Sequence, residues 1–411
     1  MVRGHPMRHP APARKKVPRF GKSPPKKFQT LELFALRFFK VCLPALPTCG
    51  REQAGNFFLD GRLRIASARS SGREKNTGAK NTAPYDGGMK ILVTGGAGYI
   101  GSVTSELLLD RGHQVVVFDN LERGHRAAVD ERATFVHGDL RNPTAIAEAM
   151  KQAKPDAVMH FAAYALVGES MEDPAMYFRN NVVGGLNLVE AMQAVGVPRI
   201  VFSSTCATYG QPEIMPMTEE LPQRPTNPYG ESKLQFEKIL LWFRERKNLQ
   251  SVFLRYFNAA GATEKFGEDH EPESHLIPNV LFVAQGKRDK VLMFGDDYDT
   301  PDGSCIRDYI HIVDLAQAHI LALEGTMQGA FNLGNGDGYS VKEVVKIARE
   351  ITGHAIPAEV APRRPGDPAR LIAGADKAHR ELGWKPRYPE LSTIIQHAWN
   401  WHQRHPNGYP K

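Results

Sequence analysis

Residues 90–101 read KILVTGGAGYIG. The first five form a short apolar run of strand character, and the turn that follows spaces Gly95, Gly98 and Gly101 at three-residue intervals before a helical stretch begins. Glycines so placed permit a tight turn, close approach of the backbone to a pyrophosphate, and close packing of helix on strand. The free N–H groups and positive dipole at the start of the helix would then face the diphosphate. The next apolar run, QVVVFDN at 114–120, ends in Asp119, which can accept hydrogen bonds from adenosine ribose hydroxyls and would repel a 2′-phosphate. Strand, loop, helix and acid together predict a site for NAD rather than NADP. The competing reading of Asp119 is a turn-capping residue before Asn120.

Working outward, TFVHGD, DAVMHFAA, RIVFSST and SVFLRYFN repeat the apolar run at intervals filled by helical stretches. That alternation predicts an α/β fold, a doubly wound parallel sheet with helices on both faces. On this sheet Asp139 is expected beside the adenine, and Phe161, Ala162 and Ala163 beside the diphosphate. Beyond Gly261 the regularity gives way to loops rich in Pro, Gly and Asp. The expected organisation is an NAD-binding domain at 89–262 and a smaller α/β substrate-binding domain at 263–411, with 308–335 returning to the first.

The 411 residues carry a net charge of +7, which by itself suggests a nucleic-acid or membrane partner. Residues 1–88 hold 18 of the 52 Lys+Arg and 5 of the 45 Asp+Glu, which leaves 34 against 40, a net of −6, for the rest. No nucleic acid and no membrane partner is therefore expected. The basic segment lacks a helix or strand period and reads as a disordered extension, either a leader or the product of a start site placed upstream of Met89. Its most apolar piece, LELFALRFFKVCLPALPTC, is interrupted by Arg37, Lys40 and Pro44, so it is neither a membrane span nor a clean signal-peptide core. Of four cysteines, Cys42 and Cys49 lie in this segment, and Cys206 and Cys305 lack metal-ligand spacing. A cytoplasmic protein without a metal is the expectation.

NPYGESK at 227–233 sets Tyr229 and Lys233 four positions apart at the start of a helix, close to one turn, so both side chains share a face. Such pairs also arise by chance on solvated helices. Here SSTCATYG at 203–210 follows the fifth strand and brings hydroxyls, Thr205 among them, to the same sheet edge. Hydroxyl, phenol and ammonium suit removal of a proton from an alcohol as hydride departs. Poising a phenol of pKa ~10 near neutrality takes about 4 kcal/mol. One positive charge ~5 Å away at an effective dielectric of ~20 supplies roughly 3 kcal/mol. Lys233 with the oxidised nicotinamide is therefore expected to activate Tyr229, and Lys233 also to hold the nicotinamide ribose.

TGGAGYIG, SSTCATYG, PYGESK and LRYFN resemble the extended short-chain dehydrogenase family. FGDDYDTPDGSCIRDYIH and APRRPGD extend the likeness to the epimerases within it that act on UDP-glucose and UDP-galactose, from about Met89 to the closing HPNGYPK. The resemblance implies inversion at C4 of a UDP-sugar through a transient 4-keto sugar, a tightly held NAD, and a homodimer. It assigns catalysis to Thr205, Tyr229 and Lys233, and adds Tyr99, Ile100, Asn120, Leu140, Asn180 and Tyr256 to the cofactor set. The UDP-sugar falls to Asn258, Leu276, Arg307, Arg364, Asp367 and Leu371. Two guanidiniums suit a diphosphate, whereas Arg363 reads as a surface ion-pair partner.

Two departures stand out. Ala165 occupies a position where many relatives carry a cofactor-touching Lys, and Thr205 stands where some have Ser. A 4,6-dehydratase would need an Asp-Glu pair where Cys206 and Ala207 stand, and a regulatory NAD binder would have no use for the Tyr229–Lys233–Thr205 set. C4 epimerisation of an N-acetylhexosamine, uronate or pentose nucleotide is the remaining alternative. Leu371 falls where a Tyr accompanies restriction to UDP-glucose and UDP-galactose, so some activity on N-acetylated sugars is expected.

Overall fold

The computed structural model describes Met1, residues 88–364 and residues 366–410. Apart from its two end residues, the expected extension 1–88 lies outside the described residues, as do Cys42 and Cys49.

Each apolar run becomes a strand: β1 (Lys90–Thr94), β2 (Gln114–Asp119), β3 (Thr134–His137), β4 (Ala157–His160), β5 (Arg199–Thr205) and β6 (Gln250–Tyr256). Between them lie α1 (Tyr99–Asp110), α2 (Pro143–Ala153), α3 (Val167–Glu172), α4 (Pro174–Tyr177), α5 (Gly184–Val195) and α6 (Pro228–Lys247). Local chemistry sets the helix ends. Asn142 caps α2 by accepting from the Thr144 and Ala145 N–H groups, with Pro143 at the first helical position. Asn227 caps α6 through the Gly230 N–H (2.8 Å), again followed by proline, and Asn248 ends the helix in the left-handed conformation. NPYG is thus a helix start, and it places Tyr229 and Lys233 on the first two turns.

Next come β7 (Asn258–Ala260), α7 (Leu276–Ala284), β8 (Val291–Phe294), β9 (Ile306–Arg307), β10 (Tyr309–His311), α8 (Ile312–Glu324) and β11 (Gly329–Leu333). The chain closes with β12 (Tyr339–Ser340), α9 (Val341–Thr352), β13 (Ala358–Ala361), β14 (Arg370–Leu371) and α10 (Leu391–Arg404). Seven strands form one sheet in the order β11-β6-β5-β4-β1-β2-β3, every pair parallel. The doubly wound reading holds, with GAFNL of β11 as a seventh strand.

One face of the sheet buries Val93, Val201 and Leu254 with Leu315 and Ile320 of α8; the other buries Leu92, Phe202 and Phe253 with Ile146, Leu188 and Phe236. Each such side chain removed from water contributes about 1.5–3 kcal/mol. A separate core of Ile277, Leu281, Val344, Ile394 and Trp399 lies among α7, α9 and α10. Strand order reverses at β1, between β2 and β4, which opens the ligand crevice of a doubly wound fold at the carboxyl ends of the strands.

Candidate active site

At that crevice Gly95 and Gly101 are forced by sterics. Gly95 has φ +75°, and a Cβ there would lie 2.4 Å from the Ala162 nitrogen; one on Gly101 would lie 2.2 Å from the Gly95 carbonyl oxygen. At Gly98 a Cβ would meet only the Gly95 oxygen at 3.4 Å. Its bare Cα therefore faces a cradle with room for a ligand against the backbone. Asp119 lies at the end of β2 and accepts from the Ala97 N–H (3.0 Å) and the Leu121 N–H (2.8 Å). Burial raises its carboxyl above the usual range while these backbone donors oppose the rise. Phe161 and Ala162 donate their N–H groups to the Thr94 carbonyl at 2.9 and 3.0 Å, which holds the end of β4 against the loop.

Other residues expected to meet the cofactor divide by position. Asn120 donates to Asp139 (3.0 Å), and Asp139 pairs with Arg141, whose guanidinium holds the carboxyl down at about 2. Leu140 is buried in the core. The Tyr99 hydroxyl donates to the Gly261 carbonyl (2.6 Å), so its side chain ties the glycine loop to the start of the C-terminal part. Ile100 packs in the core beside it. Asn180, in a π-helical turn, donates to Asn181, and Tyr256 meets the Ser203 hydroxyl at 2.8 Å.

Tyr229 and Lys233 emerge from α6 beside the end of β5. The Lys233 ammonium donates to the Ser203 carbonyl at 2.7 Å and lies 4.9 Å from the centre of the Phe202 ring. The Tyr229 ring packs edge-on against Tyr177, with Tyr164 in the same buried cluster. Thr205 lies near enough to the Tyr229 phenol to favour its charged form, and it caps the 3-10 turn Cys206–Tyr209 by accepting from the Ala207 N–H at 3.1 Å.

The electrostatics within the protein run against the point-charge arithmetic of the sequence. Burial drives the Lys233 ammonium down to about 7. Burial also pushes the Tyr229 phenol well above the ordinary tyrosine value, Tyr256 adds to the rise, and the nearby Thr205 hydroxyl opposes it. Desolvation, which the Tyr–Lys spacing does not carry, is the largest influence on both groups.

Strand pairing assembles the residues expected on the sugar side. β14 pairs with β9 so that Leu371 lies opposite Arg307. Arg307 bridges to Asp367 at 2.6 Å and is close enough to Cys206 to lower its thiol against the burial that raises it. Leu371 and Cys206 each pack against the cluster of Tyr209, Met217, Phe257 and Ala373. Arg307, Asp367 and Leu371 therefore meet the turn that follows Thr205. The Arg364 guanidinium lies over the Phe294 ring at 3.9 Å, and Arg363 pairs with exposed Asp297. Asn258 spends its side-chain amide on the Asp308 carbonyl (2.9 Å), and Leu276 opens α7.

Sequence reasoning passed over the support beneath the dyad. Ser204 donates to Glu237 (2.6 Å), which pairs with buried Arg255 (2.6 Å); Arg255 in turn donates to the Tyr209 hydroxyl (2.8 Å). The arginine inside an apolar strand, LRYFN, was the available signal. Ala165 is exposed, and Cys206 and Cys305 are free thiols.

The sequence model of the NAD dependent epimerase/dehydratase family matches residues 91–334. This chain belongs to that family. Among its relatives, a UDP-glucose 4-epimerase of Halalkalibacterium halodurans is 57% identical over 327 residues, covering 78% of this chain and 98% of the relative. The crystal structure of UDP-glucose 4-epimerase from Brucella ovis in complex with NAD is 46% identical, with TM-score 0.74 over 76% of this chain and 97% of that one. The Bifidobacterium longum enzyme, in complex with NAD+ and UDP, is 40% identical, with TM-score 0.75 over 78% and 100%. The family's cofactor fits the cradle at Gly98 and the acid at the end of β2. Among the described residues no helix is long and apolar enough to cross a membrane.

Proposed function

We propose that the chain interconverts UDP-galactose and UDP-glucose by inversion at C4 through a transient 4-keto sugar. The observation that carries this reading is the buried Tyr229–Lys233 pair on α6, with Thr205 near the phenol and the Arg307–Asp367–Leu371 wall meeting the next turn of chain. The Gly95–Gly101 loop, Asp119 and the backbone at 161–163 would hold NAD, which when bound supplies an acceptor and donor of hydride for C4. Tyr229 takes the O4 proton, with Thr205 sharing it, and gives it back when C4 is reduced on the opposite face. Lys233 holds the ribose and stabilises the phenolate. Asn258, Leu276, Arg307, Arg364 and Asp367 anchor the UDP while the keto sugar turns over.

Residues 89–262 with α8 and β11 form the cofactor side in this reading, and the remainder of 263–410 the sugar side. A cytoplasmic homodimer is proposed alongside. Val167, Met171 and Trp242 are exposed on α3 and α6, and Val183 at the end of the π-helical turn, which together offer an apolar face to a second copy. The test is to supply purified protein with UDP-galactose and no added NAD. UDP-glucose should accumulate to equilibrium, and a protein that carries NAD yet makes none would overturn the reading.

A further inference from the structure

Away from the dyad, the loop between β7 and α7 carries Glu268, His270, Glu273 and His275, whose ligand atoms all lie within 4.8 Å of one another. His275 Nδ1 is 2.8 Å from Glu268 Oε1 and 2.8 Å from Glu273 Oε1. His270 Nδ1 is 3.2 Å from Glu268 Oε1 and 3.6 Å from Glu273 Oε2. A tetrahedral ion bonded at ~2.0–2.2 Å holds its ligand atoms about 3.3–3.6 Å apart; the four contacts lie near that spacing, and the full spread of up to 4.8 Å would contract around the ion.

Mutual His–Glu ion pairing is the simpler account, and it leaves a residue unexplained. The Glu273 side chain is only 2% exposed, yet its Oε2 has no hydrogen-bond partner and points into the cluster toward His270. A buried carboxylate oxygen without a donor is costly. A cation among the four groups would satisfy it.

We propose that Glu268, His270, Glu273 and His275 bind one divalent transition-metal ion, with zinc the best match. Two neutral imidazoles and two carboxylates give a neutral site around a 2+ ion, and four protein ligands close the tetrahedron as in structural zinc sites. Magnesium and calcium prefer more, and harder, oxygen ligands. The partly exposed imidazole edges leave a route for entry.

The ion's task follows from what the loop touches. The Gly267 N–H donates to the Tyr409 hydroxyl (3.0 Å), the His125 ring donates to the Asp269 carbonyl (2.8 Å), and the His270 ring lies edge-on to Tyr99 at 6.2 Å. His275 immediately precedes α7. Bound metal would pin the glycine-loop side of the crevice to the start of α7.

The test uses the full chain dialysed against a chelator and then titrated with Zn2+ or Co2+. The expected result is one ion per chain, a Tm rise of about 5 °C at a hundredfold excess of zinc over Kd, and no rise with Mg2+. Glu273→Gln and His275→Ala should abolish stoichiometric uptake. His270→Cys keeps a zinc ligand and should add a thiolate-to-metal absorption band with Co2+, which serves if the other variants do not fold. Wild-type chain that takes up neither ion, uptake unchanged in Glu273→Gln and His275→Ala, or a His270→Cys chain without that band would each overturn the proposal.

Discussion

The glycine loop and the first turns of α6 flank the same crevice, yet they are built on opposite physics. Between β1 and α1, backbone meets backbone: a single added carbon at Gly95 or Gly101 would overlap Ala162 or the loop's own carbonyl. On α6, the side chains that matter sit in a buried pocket whose low polarity displaces the phenol and ammonium in opposite directions. The first region is intolerant of shape and indifferent to charge. The second tolerates near-isosteric change and depends on charge.

That contrast breaks most directly on Tyr229→Phe, which removes one oxygen. Turnover should fall at least ~100-fold, the usual scale of general acid–base catalysis, while bound NAD and Tm stay at wild-type values. Steady-state rates with cofactor content measured on the same sample decide it; near-normal turnover would remove Tyr229 from its role.

Gly101→Ala should do the reverse. Its Cβ would stand 2.2 Å from the Gly95 oxygen, so the loop or α1 must shift, at a cost of about 1–3 kcal/mol by analogy with overpacking. Thermal melts should show lower stability and purified protein should hold less NAD, with the lost activity partly recovered by added cofactor. Unchanged stability would mean that the loop adapts and that the contact is looser than described.

Lys233→Met sharpens the charge side. In the proposed mechanism the Lys233 ammonium stabilises the phenolate, so with it gone the activity–pH profile should move to higher pH. A second consequence concerns the cofactor-free chain. The folded Lys233 value of about 7 lies below the 10.5 of an unburied lysine, so between those pH values the unfolded chain holds a proton that the folded chain has released. Stability from this group therefore rises with pH across that window and is lost as pH falls toward 7. Melting curves of wild type and Lys233→Met at pH 7 and pH 9 should converge or cross accordingly. Parallel curves would show that burial does not depress this lysine.

How much of this was legible in the sequence depends on the distance along the chain over which each feature is set. The glycine loop lies within eight residues, and the NPYG helix start within four, so spacing alone revealed both. The Arg307–Leu371 juxtaposition is made by two-residue strands whose paired residues lie 64 positions apart, β9 and β14, too short to carry any periodic signal. Family resemblance supplied those residues. β11 escaped because GAFNL is five residues with a Gly and an Asn, and it is a strand only because β6 offers a free edge. The burial that raises the Tyr229 phenol was not legible, because desolvation belongs to the packed pocket rather than to the Tyr–Lys spacing.

The smallest expected effect lies on the sugar side. Leu371 packs against the same cluster as Cys206 and lies opposite Arg307, where a larger aromatic ring would project into the same wall. Leu371→Tyr should abolish activity on UDP-N-acetylglucosamine and spare UDP-galactose, since a steric wall discriminates more strongly than filling an apolar gap, worth ~1–3 kcal/mol. The ratio of kcat/KM for the two sugars in both proteins reports it; an unchanged ratio would remove Leu371 as the size gate.

The central claim, that the Tyr229 pocket inverts C4 by removing and returning the same hydrogen, is tested most directly with UDP-galactose deuterated at C4 and no added cofactor. The account predicts UDP-glucose that retains the label at C4, seen by mass spectrometry and NMR of the product, and no label in solvent. Product that has exchanged its C4 hydrogen with water, or no product from protein shown to contain NAD, would contradict it.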